Sequence, residues 1–163
     1  MTELSTDAFQ AAVARFPSGV AVVTVDSDDG PVSLAMRAFS AVSSDPPLVM
    51  VCIPRSAGSF KEFQWAQAFG VSILAVTQVE LARQFATGGA GDFRSVRLVT
   101  GPSATAGLLE GAVAHLECVT YDRHAAGDHL IMVGEVVSAA MFPGTSLVQC
   151  DGQFGEFQPL AGE

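Results

Sequence analysis

Residues Gly127-Asp128-His129 stand between two strand-like runs. Upstream is Val113-Ala114-His115-Leu116-Glu117-Cys118-Val119 and downstream is Leu130-Ile131-Met132-Val133-Gly134-Glu135-Val136. Histidine titrates near neutral pH, and a neighbouring carboxylate can orient its ring. An Asp-His pair at a hairpin end would therefore put a proton-exchanging, hydrogen-bonding group at a sheet edge. The plain alternative is a polar residue that closes a hairpin. The bases form a second group. All are arginine except Lys61, and Arg37, Arg55, Lys61, Arg83, Arg94 and Arg97 fall in the middle of the chain. Guanidinium forks match phosphate and carboxylate geometry, so a local basic site here would suit a small anionic ligand. For any single one, a solvated surface arginine is an equally ordinary reading.

The other chemistry-bearing side chains mostly exclude functions. Cys52, Cys118 and Cys150 are odd in number and lack short spacings, which argues against a disulfide framework or a zinc site. Cys52 and Cys118 lie in strand-like runs and read as small buried apolar groups. His115, His124 and His129 have no metal-ligand spacing, so no metal is expected. His115 reads as a core or interface histidine, and His124 as an exposed hairpin residue. Gly88-Gly89-Ala90-Gly91 does not follow a strand and open a helix, as a dinucleotide fingerprint would. The net charge is −9, and no basic stripe exists to displace phosphate counterions, so nucleic acid is not an expected partner. No apolar run approaches the ~20 residues of a membrane span, and no signal peptide precedes the first helix. A reduced, cytoplasmic protein with no membrane contact is expected. The length fits one domain over residues 1–163 that buries roughly 70% of its unfolded surface. With 49% apolar residues there is more apolar surface than a lone domain needs, which points to an oligomer interface or an apolar pocket.

The elements that must position these groups follow from patterning. Thr6-Asp7 can cap a first helix with Phe9, Val13 and Phe16 on one face, ended by Pro17-Ser18-Gly19. Residues 20–26 and 32–38 read as strands joined at Ser27-Asp28-Asp29-Gly30. Residues 48–53 form a continuous apolar run of strand length, so both faces are expected to be buried. Residues 56–67 look helical, 69–76 look like a strand, and Thr77-Gln78-Val79-Glu80 resembles a capping box opening a helix to Ala86. Residues 87–92 form a Gly-rich loop, and residues 97–109 show no order. Residues 112–122 and 130–141 form a long hairpin, and residues 146–150 end the sheet. Many short strands with helices at the corners favour a closed antiparallel barrel over a doubly wound sheet.

Several short segments occur in an order that resembles the short-chain flavin reductases. They run from Phe16-Pro17-Ser18-Gly19-Val20 through Phe39-Ser40-Ala41-Val42-Ser43-Ser44-Asp45-Pro46-Pro47-Leu48, Cys52, Ser56 and Ser59. Gln78, Leu81, Phe85-Ala86, Leu109-Glu110-Gly111-Ala112, Leu116-Glu117-Cys118, Gly127-Asp128-His129 and Gly134-Glu135-Val136 complete the set. The resemblance spans about Phe9 to Phe154. It implies a mainly β, split antiparallel β-barrel with short peripheral helices, assembled as a homodimer with flavin at or near the subunit interface. It also implies that NAD(P)H reduces FMN or FAD and that the reduced flavin passes to a partner monooxygenase. Carried over by position, Ser56 and Ser59 would help hold phosphate, with Arg55 adjacent. His129, with Asp128, would sit near the nicotinamide or flavin ring. Ser18 would lie at the barrel mouth, and Arg37, Ala38, Ser43 and Phe93 would fall in the remaining flavin-binding segments.

The chain departs from the family pattern after its second strand. A Thr, one residue, then Asn-Ser-Phe is usual there, whereas this chain has Ala35-Met36-Arg37-Ala38-Phe39. Two hydroxyls have become methyls, and the amide has become a guanidinium. Later, an expected Asp, base and Phe read Gly91-Asp92-Phe93. Each lost hydrogen bond to phosphate is worth about 1.5–3 kcal/mol, so two or three would weaken flavin binding by roughly 10³-fold. A bidentate contact from Arg37 would offset part of that loss. Flavin reduction is the leading expectation. The alternative is a flavin-independent cyclase or isomerase type of enzyme, or a binding protein, for a bulky apolar metabolite on the same barrel. In it Arg37 would supply a cation and Asp128–His129 an acid/base pair. A catalytically silent interaction partner ranks last.

Overall fold

The computed structural model describes residues 4–86 and 96–161. The chain opens with α1 (Thr6–Ala14), then β1 (Ser18–Gly19), β2 (Ala21–Val25), β3 (Val32–Met36), β4 (Phe39–Ser44) and β5 (Pro47–Pro54). Next come α2 (Phe60–Trp65), β6 (Ala68–Ile73), a 3₁₀ turn (Val76–Gln78) and α3 (Val79–Ala86). Beyond residue 95 follow β7 (Leu98–Thr100), β8 (Gly107–Leu109), β9 (Ala114–Ala126), β10 (His129–Met141), β11 (Leu147–Cys150) and β12 (Gln153–Glu156).

Seven strands make one antiparallel sheet in the order β3-β2-β6-β9-β10-β5-β4. Its two edges, β3 and β4, are consecutive in the chain and are separated only by Arg37 and Ala38. Leu34 on one edge strand and Val49 beside the other belong to the same buried cluster, with Val23, Val51, Phe63, Phe69, Cys118 and Met132. The sheet therefore curls around one core into a barrel that stays split between β3 and β4. The fully closed barrel that strand patterning favours is not formed, and the split form implied by the family resemblance is. A second cluster lies on the other face of β2. Val20, Val22 and Leu74 pack there with Ala82 and Phe85 of α3, Leu109 and Leu147.

Several local expectations change. The α1 cap is Ser5, whose hydroxyl accepts from the Ala8 amide at 3.2 Å; Thr6 and Asp7 already lie inside the helix. α1 buries none of its residues, so its apolar face does not serve the barrel core. β5 alternates: Val49, Val51 and Ile53 are buried, while Met50, Cys52 and Pro54 are only partly covered on the opposite face. The continuous apolar run hides this alternation, because both faces carry apolar side chains. α2 spans six residues rather than twelve, because residues 55–59 form turns before Ser59 takes the N-cap position. Gln78, not Thr77, closes the 3₁₀ turn, its Oε1 accepting from the Ala75 amide at 3.1 Å.

Order within residues 97–109 was missed. β7 and β8 form a hairpin there, clamped by three polar side chains of the main sheet. Ser72 Oγ accepts from the Leu109 amide at 2.9 Å, and His115 Nε2 lies 2.7 Å from the Leu109 carbonyl. Buried Glu117 accepts from the amides of Ser103 and Thr105. The late hairpin is also longer and tighter than its sequence suggests, with strands running to Ala126 and from His129. β11 does not end the main sheet; it joins β1 and β12 in a separate three-stranded sheet. Among the described residues no helix is long and apolar enough to cross a membrane.

Gly134 on β10 marks the tightest contact of the core: a Cβ there would overlap the Phe69 ring and press on the Cys118 Cβ. Phe69 is fully buried and cannot retreat. Gly134→Ala is therefore expected to lower unfolding free energy by about 1–3 kcal/mol, read as an earlier denaturant midpoint. Burial and the neighbouring Glu117 charge push the Cys118 thiol up to about 12. The folded chain keeps this proton above pH 9 where the unfolded chain sheds it, so the thiol weakens the fold as pH rises from about 9 to 12. Iodoacetamide at pH 8 should leave Cys118 unmodified in native protein and label it after denaturation, as peptide mass mapping would record.

Candidate active site

The split in the barrel is lined by polar groups that lack partners. Arg37 and Ala38 bridge the two edge strands, and the Ala38 carbonyl accepts from the Cys52 amide at 3.1 Å. This bond holds the bridge against the middle of β5. A cleft of about 300 Å³ opens beside it, lined by Phe16, Ser18, Arg37, Phe39, Met50 and Cys52 among others. Alternation along β5 turns Met50 and Cys52 away from the barrel core and into this cleft. Ser18 arrives by a separate route: β1 pairs with β11, register Ser18 to Gln149, and brings the residue to the barrel mouth. Its Oγ is buried and has no hydrogen-bond partner. Arg37 makes no ion pair among the described residues. The cleft thus combines apolar and aromatic walls with an unmatched hydroxyl and an unmatched cation.

A second group gathers at the far end of β5. In register, His129 stands opposite Pro54, Ile131 opposite Cys52 and Val133 opposite Met50. Paired residues share a sheet face. One continuous surface therefore runs from Met50 and Cys52 in the cleft to His129. Gly127, with φ 56°, turns the hairpin so that the Asp128 carbonyl accepts from the Arg55 amide at 2.9 Å. His129 Nδ1 lies 2.7 Å from Asp128 Oδ1. A carboxylate can only accept, so Nδ1 carries the proton in this pair and Nε2 is left free. That hydrogen bond, reinforced by the imidazole charge, holds the exposed Asp128 carboxyl below its ordinary range. The Arg55 guanidinium sits 5.6 Å from the centre of the Phe60 ring. Ser56 is exposed in the turn, whereas Ser59 is buried with its Oγ unpartnered.

Most of the sequence-derived residues fall into two neighbourhoods. Ser18, Arg37 and Ala38 belong to the cleft; Arg55, Asp128 and His129 meet at the corner beyond it, and Ser56 and Ser59 follow Arg55 in the turn that leads into α2. Ser43 joins neither: its hydroxyl accepts from the Asp45 amide at 3.3 Å and shapes the β4–β5 turn. Phe93 lies outside the described residues, as do Arg94 and the Gly-rich run at 88–91. Sequence reasoning missed Met50 and treated Cys52 as buried packing. Their alternation with Val49, Val51 and Ile53 was the available signal.

The sequence and the fold are similar to those of known proteins. A sequence profile of the flavin reductase like domain matches residues 13–158. The chain is 40% identical over 154 residues to the actinorhodin polyketide dimerase of Streptomyces coelicolor, covering 93% of this chain and 86% of that protein. It is 35% identical over 154 residues to the reductase component of a 4-nitrophenol 4-monooxygenase/4-nitrocatechol 2-monooxygenase of Rhodococcus opacus, covering 93% and 80%. Its fold superposes on the Streptomyces globisporus NADH:FAD oxidoreductase, solved with NAD and FAD fragments, with a TM-score of 0.89 and 34% identity over 98% of this chain and 99% of that one. With the profile covering most of its length and the same split barrel beneath it, the chain belongs to the flavin reductase family.

Proposed function

We propose that this protein is an NADH-dependent flavin reductase, one domain over residues 1–163, that supplies reduced FMN or FAD to a partner monooxygenase. One observation carries the reading. Ser18 Oγ, in the lining of the cleft, and Ser59 Oγ, at the start of α2, are buried without partners, and Arg37 lines the same cleft as Ser18 with no ion pair among the described residues. Buried hydroxyls without partners are costly and rare. A phosphate-bearing planar ligand would satisfy them: the apolar cleft suits a flat ring, and Arg37, Ser18 and Ser59 suit charged oxygen. The residues present therefore fit a flavin even though Ala35 and Ala38 offer no hydroxyl.

When bound, flavin supplies the two-electron acceptor, and the protein supplies position and electrostatics. Ser59, at the N-cap of α2 without a capping bond, is free to donate to phosphate. Arg55 and Ser56 flank it in the preceding turn. His129 presents Nε2 over the face, its ring fixed by Asp128, and orients the nicotinamide or the flavin edge. The reductase component of the nitrophenol monooxygenase shows that relatives serve such partners.

A homodimer accounts for the apolar surface left over. Val137, Met141, Phe142, Phe157 and Leu160 are exposed, Met141 at 89%. A stable interface hides roughly 800 Å² per partner. Light scattering on the purified protein should give about twice the chain mass of 16.9 kDa.

The relative named a polyketide dimerase favours a second reading, in which the cleft takes a bulky apolar metabolite and flavin plays no part. Titration with FMN and FAD, followed by NADH addition, separates the two. The reductase reading expects flavin binding and NADH oxidation far above background. A protein that binds neither flavin nor oxidises NADH removes it. Ser59→Ala should weaken flavin binding about tenfold through one lost charged hydrogen bond. His129→Ala should lower kcat/KM for NADH about 10²-fold by misplacing the reacting ring, with flavin affinity nearly unchanged.

A further inference from the structure

The β7–β8 hairpin lies on the outside of the main sheet. In register, His115 stands between Ser72 of β6 and Ala140 of β10, and Glu117 between Gly70 and Ser138. Leu116 and Cys118 alternate with them and pack in the barrel core, so His115, Glu117, Ser138 and Ala140 share the outer face. Over β6 the hairpin fits closely: a Cβ on Gly70 would meet the Gly107 carbonyl and the Leu108 side chain at 2.8 Å. Towards β10 the fit opens into a hollow of about 200 Å³. Val99 and Leu108 of the hairpin stand on one side of it, and Ser138, Ala140 and Phe142 on the other. None of its lining residues belongs to the cleft at the barrel split.

Two titratable side chains line this hollow, and both are buried: His115 is 7% exposed and Glu117 is 1% exposed. A carbonyl can only accept, so His115 Nε2 donates to Leu109, and in the neutral ring Nδ1 is an acceptor. Nδ1 has no hydrogen-bond partner among the described residues. The Glu117 carboxylate accepts from the Ser103 and Thr105 amides and keeps lone pairs to spare. The Phe142 ring stands edge-on to His115, with centroids 4.9 Å apart. No lysine or arginine lines the hollow. It therefore offers apolar walls, an aromatic edge and acceptors in want of a donor.

These features restrict the ligand. An anion would meet the Glu117 carboxylate, and a free cation would leave its hydration shell among apolar walls. A cavity of about 150 Å³ is large enough for benzene, so one six-membered ring with a small substituent fits here. We propose that the hollow is a binding site for a small neutral phenol, its ring against Leu108 and Phe142 and its hydroxyl donating to His115 Nδ1. The site is separate from the flavin cleft and does not depend on flavin reduction. Its rim includes Phe142, which also belongs to the exposed apolar patch, so a second copy of the chain is the competing occupant.

The test adds phenol to the full-length protein, without flavin or NADH, and follows backbone amide shifts by NMR. Anisole, which has the same ring but no donor, and benzoate, its anionic counterpart, are run beside it. Phenol should give saturable shifts at Val99, Leu108, His115, Glu117 and Ala140, and none at Arg37, Phe39 or Cys52. It should bind about tenfold more tightly than anisole, the size of one hydrogen bond, and benzoate should not bind. Ala140→Leu, at an exposed position of β10, should fill the hollow and abolish phenol binding while leaving NADH oxidation unchanged. His115→Phe keeps a ring and removes the acceptor, and should bring phenol down to anisole. That variant also loses the bond to Leu109, so if it does not fold, the anisole comparison and Ala140→Leu decide. Equal binding of phenol and anisole overturns the proposal, as do shifts centred on the cleft and binding that Ala140→Leu leaves intact. Absence of phenol binding overturns it too, and if light scattering then shows a dimer, the second copy is the occupant. A protein that fails to bind flavin would leave each of these outcomes as stated.

Discussion

The two edges of a seven-stranded sheet meet across two residues, Arg37 and Ala38, and the rest of the molecule is arranged around that seam. A barrel closed by hydrogen bonds has no edges and leaves no backbone groups to cover. Here β3 and β4 belong to opposite edges yet share a core, so the seam must stay near while remaining unpaired. One backbone bond, from the Cys52 amide to the Ala38 carbonyl, fixes the bridge to β5. Around the seam stand α1, the small β1–β11–β12 sheet and the outward face of β5. None of them completes the barrel; together they make its opening a shaped recess.

This division of labour separates stability from chemistry. The inward residues Val23, Val51, Phe69, Cys118 and Met132 form a dry core, and the close approach of Phe69 to Gly134 fixes the register of β10 against its neighbours. The outward residues of the same strands, Met50, Cys52, Pro54, Ile131 and His129, carry the candidate binding face. Strand alternation means that a shift of one residue in β10 would turn His129 and Ile131 inward and Met132 outward. The tight glycine contact in the core therefore also secures the placement of His129, five residues along β10 and roughly 17 Å away at ~3.3 Å per residue.

Much of this was legible from the chain, and the failures have physical causes. The Gly127-Asp128-His129 turn was found because a polar triplet between two long apolar strands has few other uses. Ordered landmarks from Phe16 to Gly134 revealed the split barrel, although strand patterning alone suggested closure, since the gap between two edges is a tertiary property. β5 looked buried on both faces because Met50 and Cys52 line a cleft that needs apolar walls. The β7–β8 hairpin was missed because strands of three residues have little periodicity. What orders it is distant in sequence: Ser72, His115 and Glu117 reach it from the main sheet. Ser43 stands in the β4–β5 turn and away from the cleft, since a serine beside Asp-Pro serves a turn as readily as a ligand.

The first helix has no inward-facing residue of its own. Nine residues with one capping serine are too few to hold a helix in water, since nucleation costs more than so short a ladder returns. What keeps α1 in place is its C-terminal attachment to the β11–β12 turn. A ligand that packs against Phe9, Val13 and Phe16 would therefore also favour the wound state of α1. Backbone amide exchange in residues 6–14 would then be fast in the empty protein and slow in the filled one, which makes this helix a reporter of turnover as well as a boundary.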